Sequence, residues 1–302
     1  MKIVFMGTPD FAETALRTLA DSRHEIAAVY TQPDKPVGRK AVLTPPPVKT
    51  FALSRGIPVF QPTKLRDGTV AGQLREIRPD LAVVVAYGRL LPPDVLAVPR
   101  LGCVNVHASL LPKYRGAAPI ESAVVHGETE TGVTTMYMAE GLDTGDMILR
   151  AALDIGPDEQ APELRPRLAG LGAELLLETL DRIEAGTAPR IPQNDAEASW
   201  ASIIRKEDAR IDFGQRAETV HNLVRGMAGW PCAFCSCMGK TLKVHRSRIM
   251  EGSGIPGTVL DRKRFVVACG EGALELTEVQ MEGSKRVSGA DFLRGHSVER
   301  VD

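Results

Sequence analysis

The chain has 302 residues, 43% of them hydrophobic, and a formal net charge of −1 at pH 7. This length favours two domains, and the hydrophobic fraction is ordinary for a globular protein, which excludes a disordered or fibrous chain. No apolar run reaches the roughly 18 residues that a membrane-spanning helix needs, and the near-zero charge gives no overall attraction for a polyanion.

The cysteines and the first residues indicate a reducing compartment. There are five cysteines, an odd number, and the apolar run after Lys2 ends at Gly7, which is too short for the core of a secretory signal. We therefore expect a cytoplasmic protein with free thiols. Cys232 and Cys235 have the spacing of half a zinc site, but no second pair completes four ligands, so no metal is predicted.

Strand and helix patterns alternate along the first part of the chain. Amphipathic runs predict helices near residues 11–19, 48–55, 69–77, 119–126 and 163–184. Apolar runs predict strands at 2–6, 25–31, 58–61, 80–86, 102–106 and 132–138. The continuous run DLAVVVA is typical of a strand buried on both faces of a parallel sheet. The alternation predicts an α/β, doubly wound, Rossmann-like domain, with its ligand outside the carboxyl ends of the strands.

The pattern changes in the last third of the chain. Residues 186–199 are rich in proline, alanine and polar side chains without a period, which predicts a linker. Residues 205–302 contain short alternating strands, typical of a small antiparallel β-barrel of the OB type. The predicted division is therefore a catalytic domain at 1–189, a linker at 190–204 and a barrel at 205–302.

The stretch VNVHASLLPKYRGAAPI, residues 104–120, holds the first candidate site. Asn105 and His107 are two apart at the end of a predicted strand, so their side chains share one face. An amide donor beside a group that exchanges protons near neutral pH suits a reaction that develops an oxyanion. Asp143, in the turn GLDTGD, is the candidate acidic partner. Taken singly, each has a plain alternative: a turn cap, a structural histidine, an ordinary turn.

A proline-rich segment, residues 32–49, is the second candidate. Its five prolines and a central glycine predict a long exposed loop, excluding a helix or a central strand. The segment carries cations that can meet phosphates, although a solvated surface loop would look the same: Lys35, Arg39, Lys40 and Lys49. GTPDF, at residues 7–11, lacks the GxGxxG pattern and has a proline in the turn, which argues against a dinucleotide site.

The stretch from Asn105 together with EGLDTGDM resembles the formyltetrahydrofolate-dependent formyltransferases. FMGTPDFA, TQPDKPVGR, VVVAYGRLLP and KEDARIDF are similar to the branch of that family that acts on methionyl initiator tRNA, so the likeness covers nearly the whole chain. The resemblance implies 10-formyltetrahydrofolate as donor and the α-amine of methionyl initiator tRNA as acceptor. It implies that Asn105 and His107 stabilise the oxyanion, that Asp143 orients His107, and that no metal takes part.

The resemblance also implies the binding residues. The folate site would be formed by Ser109, Leu110, Leu111, Pro112, Tyr87, Gly88, Arg89, Leu90 and Leu91. The tRNA would be bound by Lys35, Arg39, Lys40, Lys49, Lys240 and Lys243. The chain departs from the family after Gly38-Arg39, where Lys-Ala-Val replaces a denser basic run. A monomer is expected, as is usual in the family.

Other functions fit parts of this pattern. A formyltransferase of the same family acting on an amino sugar would keep the folate chemistry, but the basic loop and the barrel argue against it. A tRNA-binding protein without activity would keep the barrel, but the intact Asn105, His107 and Asp143 argue against that.

Overall fold

The computed structural model describes residues 1–38 and 40–302, which form two compact units. The first unit contains Met1–Ala117, Gly132–Leu153 and Arg165–Ala201. The second contains Ala118–Thr131, Asp154–Leu164 and Ser202–Asp302. Two short segments from the first 189 residues thus group with the C-terminal residues, which no sequence pattern indicated. The boundaries at 1–189, 190–204 and 205–302 stay predictions.

A mixed sheet organises the first unit. Along the chain as far as Ala201, the strands are β1 (Lys2–Gly7), β2 (Glu25–Tyr30), β3 (Lys35–Val37), β4 (Val42–Thr44), β5 (Val59–Phe60), β6 (Leu81–Val85), β7 (Cys103–His107), β8 (Arg115–Gly116), β9 (Glu130–Tyr137), β10 (Met147–Asp154) and β11 (Trp200–Ala201). Within the described residues the main sheet has the order β10-β9-β7-β6-β1-β2-β5. From β7 to β5 the neighbours are parallel, and β9 is antiparallel to β7. The predicted α/β, Rossmann-like fold is confirmed.

Helices pack on the apolar faces of this sheet through apolar residues that recur with the helical period. The helices in this part of the chain are α1 (Asp10–Ala20), α2 (Pro47–Ser54), α3 (Thr69–Ile77), α4 (Pro93–Leu96), α5 (Pro119–Val125) and α6 (Ala161–Glu184), of which α5 belongs to the second unit. All five residues of β6, LAVVV, are buried, as a central parallel strand requires. Val70, Ala71 and Leu74 of α3 pack in the same cluster as Val84. This packing fixes where the carboxyl ends of β6 and β7 lie.

An antiparallel sheet organises the second unit. Its elements are α7 (Ala217–Gly226), β12 (Phe234–Cys237), β13 (Lys240–Met250), β14 (Val259–Asp261), β15 (Val266–Ala268), β16 (Ala273–Met281), β17 (Val287–Ser288) and α8 (Gly289–Gly295). The strand order is β12-β13-β16-β15-β14, and β17 pairs with β16. Leu242 and Val244 are buried while Lys243 between them is exposed, the alternation of a half-buried strand. The predicted C-terminal domain of antiparallel strands is confirmed.

The proline-rich segment differs from the prediction. It contains a two-stranded ribbon, in which Lys35 pairs with Thr44 and Val37 with Val42. Its last residues, from Pro47, begin α2, because proline is well suited to the first turn of a helix. The expectation of a loop without helix was therefore wrong at this end. Among the residues that the structure describes, no helix is both long enough and apolar enough to cross a membrane.

Candidate functional site

Asn105 and His107 lie side by side at the carboxyl end of β7. Asn105 is opposite Val84 of β6 on one side and Met136 of β9 on the other. His107 is almost completely buried, whereas Asn105 is half-buried. Strands on both sides therefore hold the two side chains in place, and the Asn105 amide keeps access to the edge of the sheet.

Asp143 reaches both side chains from the loop between β9 and β10. Its Oδ1 accepts a hydrogen bond from Asn105 Nδ2 at 3.5 Å, and its Oδ2 lies 3.7 Å from His107 Nδ1. Oδ2 also accepts a hydrogen bond of 2.8 Å from the backbone N–H of Gly116. The Asp143 side chain is 11% exposed, so water screens these contacts weakly. The structure thus brings together the residues predicted to be catalytic; their role stays a prediction.

The orientation of the His107 ring is set by a backbone carbonyl. Nε2 of His107 lies 2.9 Å from the carbonyl oxygen of Tyr114. A carbonyl oxygen only accepts hydrogen bonds, so Nε2 carries a hydrogen in this geometry. The nitrogen left for chemistry is Nδ1, which faces Asp143. The neutral ring presents a lone pair there, and the charged ring presents an N–H.

The signature turn after β7 is held from inside the fold. The Ser109 hydroxyl donates to the carbonyl of Lys113 at 2.6 Å, and Ser109 is fully buried. Thr134 ties the turn to β9, since its hydroxyl accepts from the Leu111 N–H at 3.1 Å and donates to the Ser109 carbonyl at 2.7 Å. Leu111 is buried in a cluster with Met136 and Met147. Ser109 and Leu111 therefore support the predicted folate wall, and Leu110, half-buried, is the more accessible side chain.

The other predicted folate segment follows β6, and its residues alternate in exposure. Tyr87 and Leu91 are buried in the core, while Gly88 and Leu90 are exposed. Gly88 has a φ of +76°, and a Cβ on it would lie 2.5 Å from Gln32 Nε2. That amide donates to the carbonyl of Tyr87 at 3.0 Å. Only glycine fits here without strain, because the chain passes this close to Gln32.

Arg89 has a different environment from its neighbours in this segment. Its guanidinium donates to the carbonyl of Thr63 at 2.8 Å. This bond ties the segment after β6 to the chain before α3. Arg89 therefore contributes to the shape of the predicted folate site, and a direct contact with a ligand stays a prediction.

The ribbon of β3 and β4, residues 35–38 and 40–44, is here called the basic hairpin. Lys35 and Lys40 are exposed, as are the apolar side chains of Val37, Val42 and Leu43. The predicted tRNA-binding residue Arg39 lies outside the described residues. The hairpin therefore presents cations and apolar groups together to solvent.

Lys49 differs from the other predicted tRNA-binding lysines. Its ammonium lies 2.8 Å from both carboxylate oxygens of Asp34 and 2.8 Å from Gln61 Oε1. Hydrogen bonds from Gln61 and from Lys49 lower the pKa of Asp34, so the carboxylate stays charged and holds the lysine. A phosphate contact by Lys49 would have to break this network. In the second unit, Lys240 and Lys243 are exposed at the start of β13.

Residues 191–201, here called the strap, contact both loops of the site. Trp200 and Ala201 pair in parallel with Arg115 and Gly116. At the other end, Ile191 exchanges backbone hydrogen bonds of 2.9 and 3.0 Å with Met147. The strap lies within the predicted linker at residues 190–204. It has no hydrophobic period, so no sequence signal indicated these contacts.

Gln193 of the strap was missed as a site residue. Its amide nitrogen lies 2.8 Å from the carbonyl oxygens of Asp143 and of Gly145. Its amide oxygen accepts a hydrogen bond of 2.9 Å from Arg115 Nε. Gly116 and the carbonyl of Tyr114 were missed as well, because backbone groups leave no residue-type signal.

The cysteines of the second unit line its core. Cys235 and Cys237 are two apart on β12 and pack in the buried apolar cluster. Burial raises the pKa of the Cys237 thiol to about 11. Among the described residues, His24, Asp181 and Glu184 have atoms close enough to share an ion, but the Arg23 guanidinium already bonds both carboxylates. The absence of a metal from the mechanism stays a prediction.

Comparisons with known families and curated proteins match nearly the whole chain. A family model described as "Formyl transferase" matches residues 1–180, and one described as "Formyl transferase, C-terminal domain" matches residues 203–297. The "Methionyl-tRNA formyltransferase" of Geobacter metallireducens is 50% identical over 301 residues, which cover 99% of this chain and 97% of that protein. The protein of the same name from Pelotomaculum thermopropionicum is 49% identical over 300 residues, 98% of this chain and 96% of that one.

Solved structures resemble the fold at lower identity. WlaRD, described as a sugar 3N-formyl transferase in the presence of dTDP and 5-N-formyl-THF, has a TM-score of 0.71 at 19% identity, covering 94% of this chain and 99% of that chain. HypX from Aquifex aeolicus, in complex with tetrahydrofolic acid, has a TM-score of 0.66 at 19% identity, covering 97% of this chain and 47% of that chain. At this identity the likeness concerns the fold alone.

Proposed function

The chain belongs to the formyl transferase family, and from this membership we propose that it transfers the formyl group of 10-formyltetrahydrofolate to the free α-amino group of methionyl initiator tRNA. The observation that carries the proposal is the identity of about 50% with methionyl-tRNA formyltransferases over nearly the whole of both chains. The product is N-formylmethionyl-tRNA for translation initiation, so the site of action is the cytoplasm.

The site residues suit this chemistry. When bound, 10-formyltetrahydrofolate supplies a formyl group on nitrogen. The methionyl amine forms the new C–N bond, the bond to N10 breaks, and a proton moves from the amine to N10. Asn105 is placed to donate its amide N–H to the oxygen on which negative charge develops; such a donor is worth about 3 kcal/mol when it is held in position.

In this proposal, His107 and Asp143 assist proton transfer and stabilise the charge that develops. The Nδ1 of His107 is the available ring nitrogen, because Nε2 is committed to the Tyr114 carbonyl. With Nδ1 protonated, the ring adds a positive charge beside the developing oxyanion. Asp143 lies 3.7 Å from Nδ1, a distance at which its carboxylate orients the ring. The same carboxylate is placed to assist the proton on its way from the amine to N10.

The described residues fit a folate. A pterin is a flat ring with polar edges, which needs an apolar surface and backbone hydrogen-bonding groups. The chain after β6 offers an exposed surface for such a ring, since Ala86, Gly88 and Leu90 are exposed at the carboxyl edge of the sheet. We assign the donor site to this segment, residues 87–91, together with the turn of residues 109–112.

The acceptor is assigned to the cationic surfaces. Lys35 and Lys40 of the basic hairpin, with Arg39, meet the phosphates of the tRNA, and Lys240 and Lys243 of the second unit add backbone contacts. Lys49 supports the base of the hairpin through Asp34. The enzyme acts as a monomer, which sedimentation of the free protein checks.

The test is formyl transfer from 10-formyltetrahydrofolate to methionyl initiator tRNA, with methionyl elongator tRNA and a nucleotide-linked amino sugar as parallel acceptors. We expect transfer to the initiator, with much slower transfer to the other two. Preferential transfer to the sugar amine would replace the acceptor and keep the site. Release of folate without any acylated product would overturn the proposal.

A further inference from the structure

The loop that carries Asp143 has a conformation that its own sequence does not favour. Asp143 has a φ of +54°, in the left-handed region where a non-glycine residue is disfavoured by about 1 kcal/mol or more. At Gly145 a Cβ would clash with the carbonyl oxygen of Tyr137. The carboxylate therefore depends on outside contacts to stay directed at Asn105, His107 and Gly116.

Gln193 supplies such contacts on the backbone side of the loop. Its amide nitrogen donates to the carbonyl oxygens of Asp143 and Gly145, each at 2.8 Å. Gln193 is half-buried, while its strap neighbours on both sides are exposed. The contact is thus directed into the loop rather than being a chance surface bond.

Arg115 fixes which way the Gln193 amide faces. Its Nε donates to the Gln193 oxygen at 2.9 Å, so the amide nitrogen must face the Asp143 loop. The guanidinium is buried and pairs at 2.8 Å with Asp195, which also belongs to the strap. Arg115 lies next to Gly116, whose N–H binds the Asp143 carboxylate. The Asp143 loop is therefore held at its backbone carbonyls by Gln193 and at its carboxylate by Gly116.

We propose that Gln193, fixed by Arg115, is a positioning residue for the reaction: it holds the Asp143 loop so that the carboxylate meets His107 and Asn105. The inference rests on the proposed function. It assigns the strap to the active site, although no strap residue touches Asn105 or His107 in the described contacts. Its effect on the rate passes through Asp143.

Gln193→Glu is the informative variant. Glutamate keeps the size and an acceptor for Arg115, but it has no N–H and places carboxylate oxygen against two carbonyl oxygens. We expect kcat to fall at least about tenfold with KM for both substrates changed much less, since small displacements of a catalytic group cost up to about 100-fold. Gln73→Glu is the matched control, because it makes the same exchange at a half-buried glutamine of α3 whose amide oxygen accepts a hydrogen bond from the Tyr30 hydroxyl, an acceptor that glutamate keeps. It should keep the full rate.

The decisive measurement is a double-mutant cycle with Asp143→Asn in the full-length protein. If Gln193 acts through Asp143, Gln193→Glu will lower kcat at least tenfold in the wild-type background and less than about twofold in the Asp143→Asn background. Equal losses in both backgrounds, an unchanged kcat for Gln193→Glu, or the same loss for Gln73→Glu would overturn the inference. Unfolding midpoints confirm that each variant is folded. Absence of formyl transfer by the wild-type protein would instead contradict the proposed function.

Discussion

The backbone N–H of Gly116 donates a 2.8 Å hydrogen bond to Oδ2 of Asp143, and this bond joins the two loops of the candidate site. Gly116 itself has a φ of +117°, and a Cβ on it would lie 2.5 Å from the carbonyl oxygen of Ala201. A side chain at this position would have to displace the strap or the loop. Glycine at residue 116 therefore lets the backbone N–H reach Asp143 without displacing the strap or the loop.

Gly116→Ala should weaken both stability and activity. The disfavoured backbone conformation and the contact with Ala201 predict a loss of about 1–3 kcal/mol in the free energy of unfolding, measured in urea. A fall in kcat should accompany it because the displaced backbone N–H no longer meets the Asp143 carboxylate in the same geometry. Gly170→Ala is the control, since a Cβ there meets open space on α6 and alanine favours a helix. Equal stability of the two variants would contradict this account.

Asn105→Ala should lower kcat by about 100-fold or more, because it removes the donor proposed for the oxyanion. The side chain is only half-buried, so the fold should remain and folate should still bind. Rapid-quench measurement of a single turnover separates the chemical step from product release. A single-turnover rate like that of the wild type would remove Asn105 from the mechanism.

His107→Gln tests the ring without removing the donor to Tyr114. The glutamine amide can still hydrogen-bond that carbonyl, but it provides no exchangeable proton at the position of Nδ1. We expect kcat to fall by about 100-fold or more, as for loss of a general acid or base. The unfolding midpoint should stay near that of the wild type. Retained activity would show that proton transfer does not require the imidazole.

Lys40→Ala and Lys49→Ala should separate tRNA binding from support of the hairpin. Lys40 is exposed, so its loss should raise KM for tRNA and reduce the salt dependence of binding by about one counterion, with stability unchanged. Lys49→Ala leaves Asp34 and Gln61 without their cation and should lower the unfolding midpoint. Arg39→Ala should behave like Lys40→Ala. A raised KM for tRNA in Lys49→Ala alone, with a lowered unfolding midpoint in Lys40→Ala alone, would contradict this prediction.

His221 predicts a pH dependence of stability in the second unit. Burial is the largest cause that lowers its pKa from the ordinary 6.5, with the Asp158 carboxylate acting in the opposite direction. The folded state therefore binds a proton at His221 less readily than the unfolded state does. The contribution of His221 to the free energy of unfolding is complete above pH 6.5, and it is lost as the pH falls from 6.5 through the lowered pKa of the folded state. His221→Gln should therefore unfold with a weaker loss of stability between pH 7.5 and 5.5 than the wild type. Parallel unfolding curves for the two proteins would contradict the shift.

The sequence predicted those helices and strands whose apolar residues recur with a regular period. Helix α3 occupies the predicted residues 69–77, and the buried strand β6 lies inside the predicted run at 80–86. The spacing of Asn105 and His107 indicated a shared face, because the alternation of a strand is a local property. Their proximity to Asp143 needed the fold, since the contact joins residues 38 apart in sequence.

Other features depend on long-range contacts that residue types do not encode. The strap is polar and without a period, and its order comes from backbone hydrogen bonds to Arg115 and Met147. The inward orientation of Ser109 and Leu111 follows from Thr134, which lies on another strand. Lys49 looked like its neighbours in the basic segment, and only the fold places Asp34 and Gln61 around it.

The strap has a consequence for how such a protein can be taken apart and recombined. A chimera that joins the first 189 residues to a foreign acceptor-binding half would lack Gln193 and β11. It would therefore lack the contacts that support the Asp143 loop. A graft junction placed after Ala201 carries those parts along with the first compact unit. We therefore expect a chimera to keep its catalytic rate when the junction lies after Ala201 and to lose it when the junction lies at residue 189.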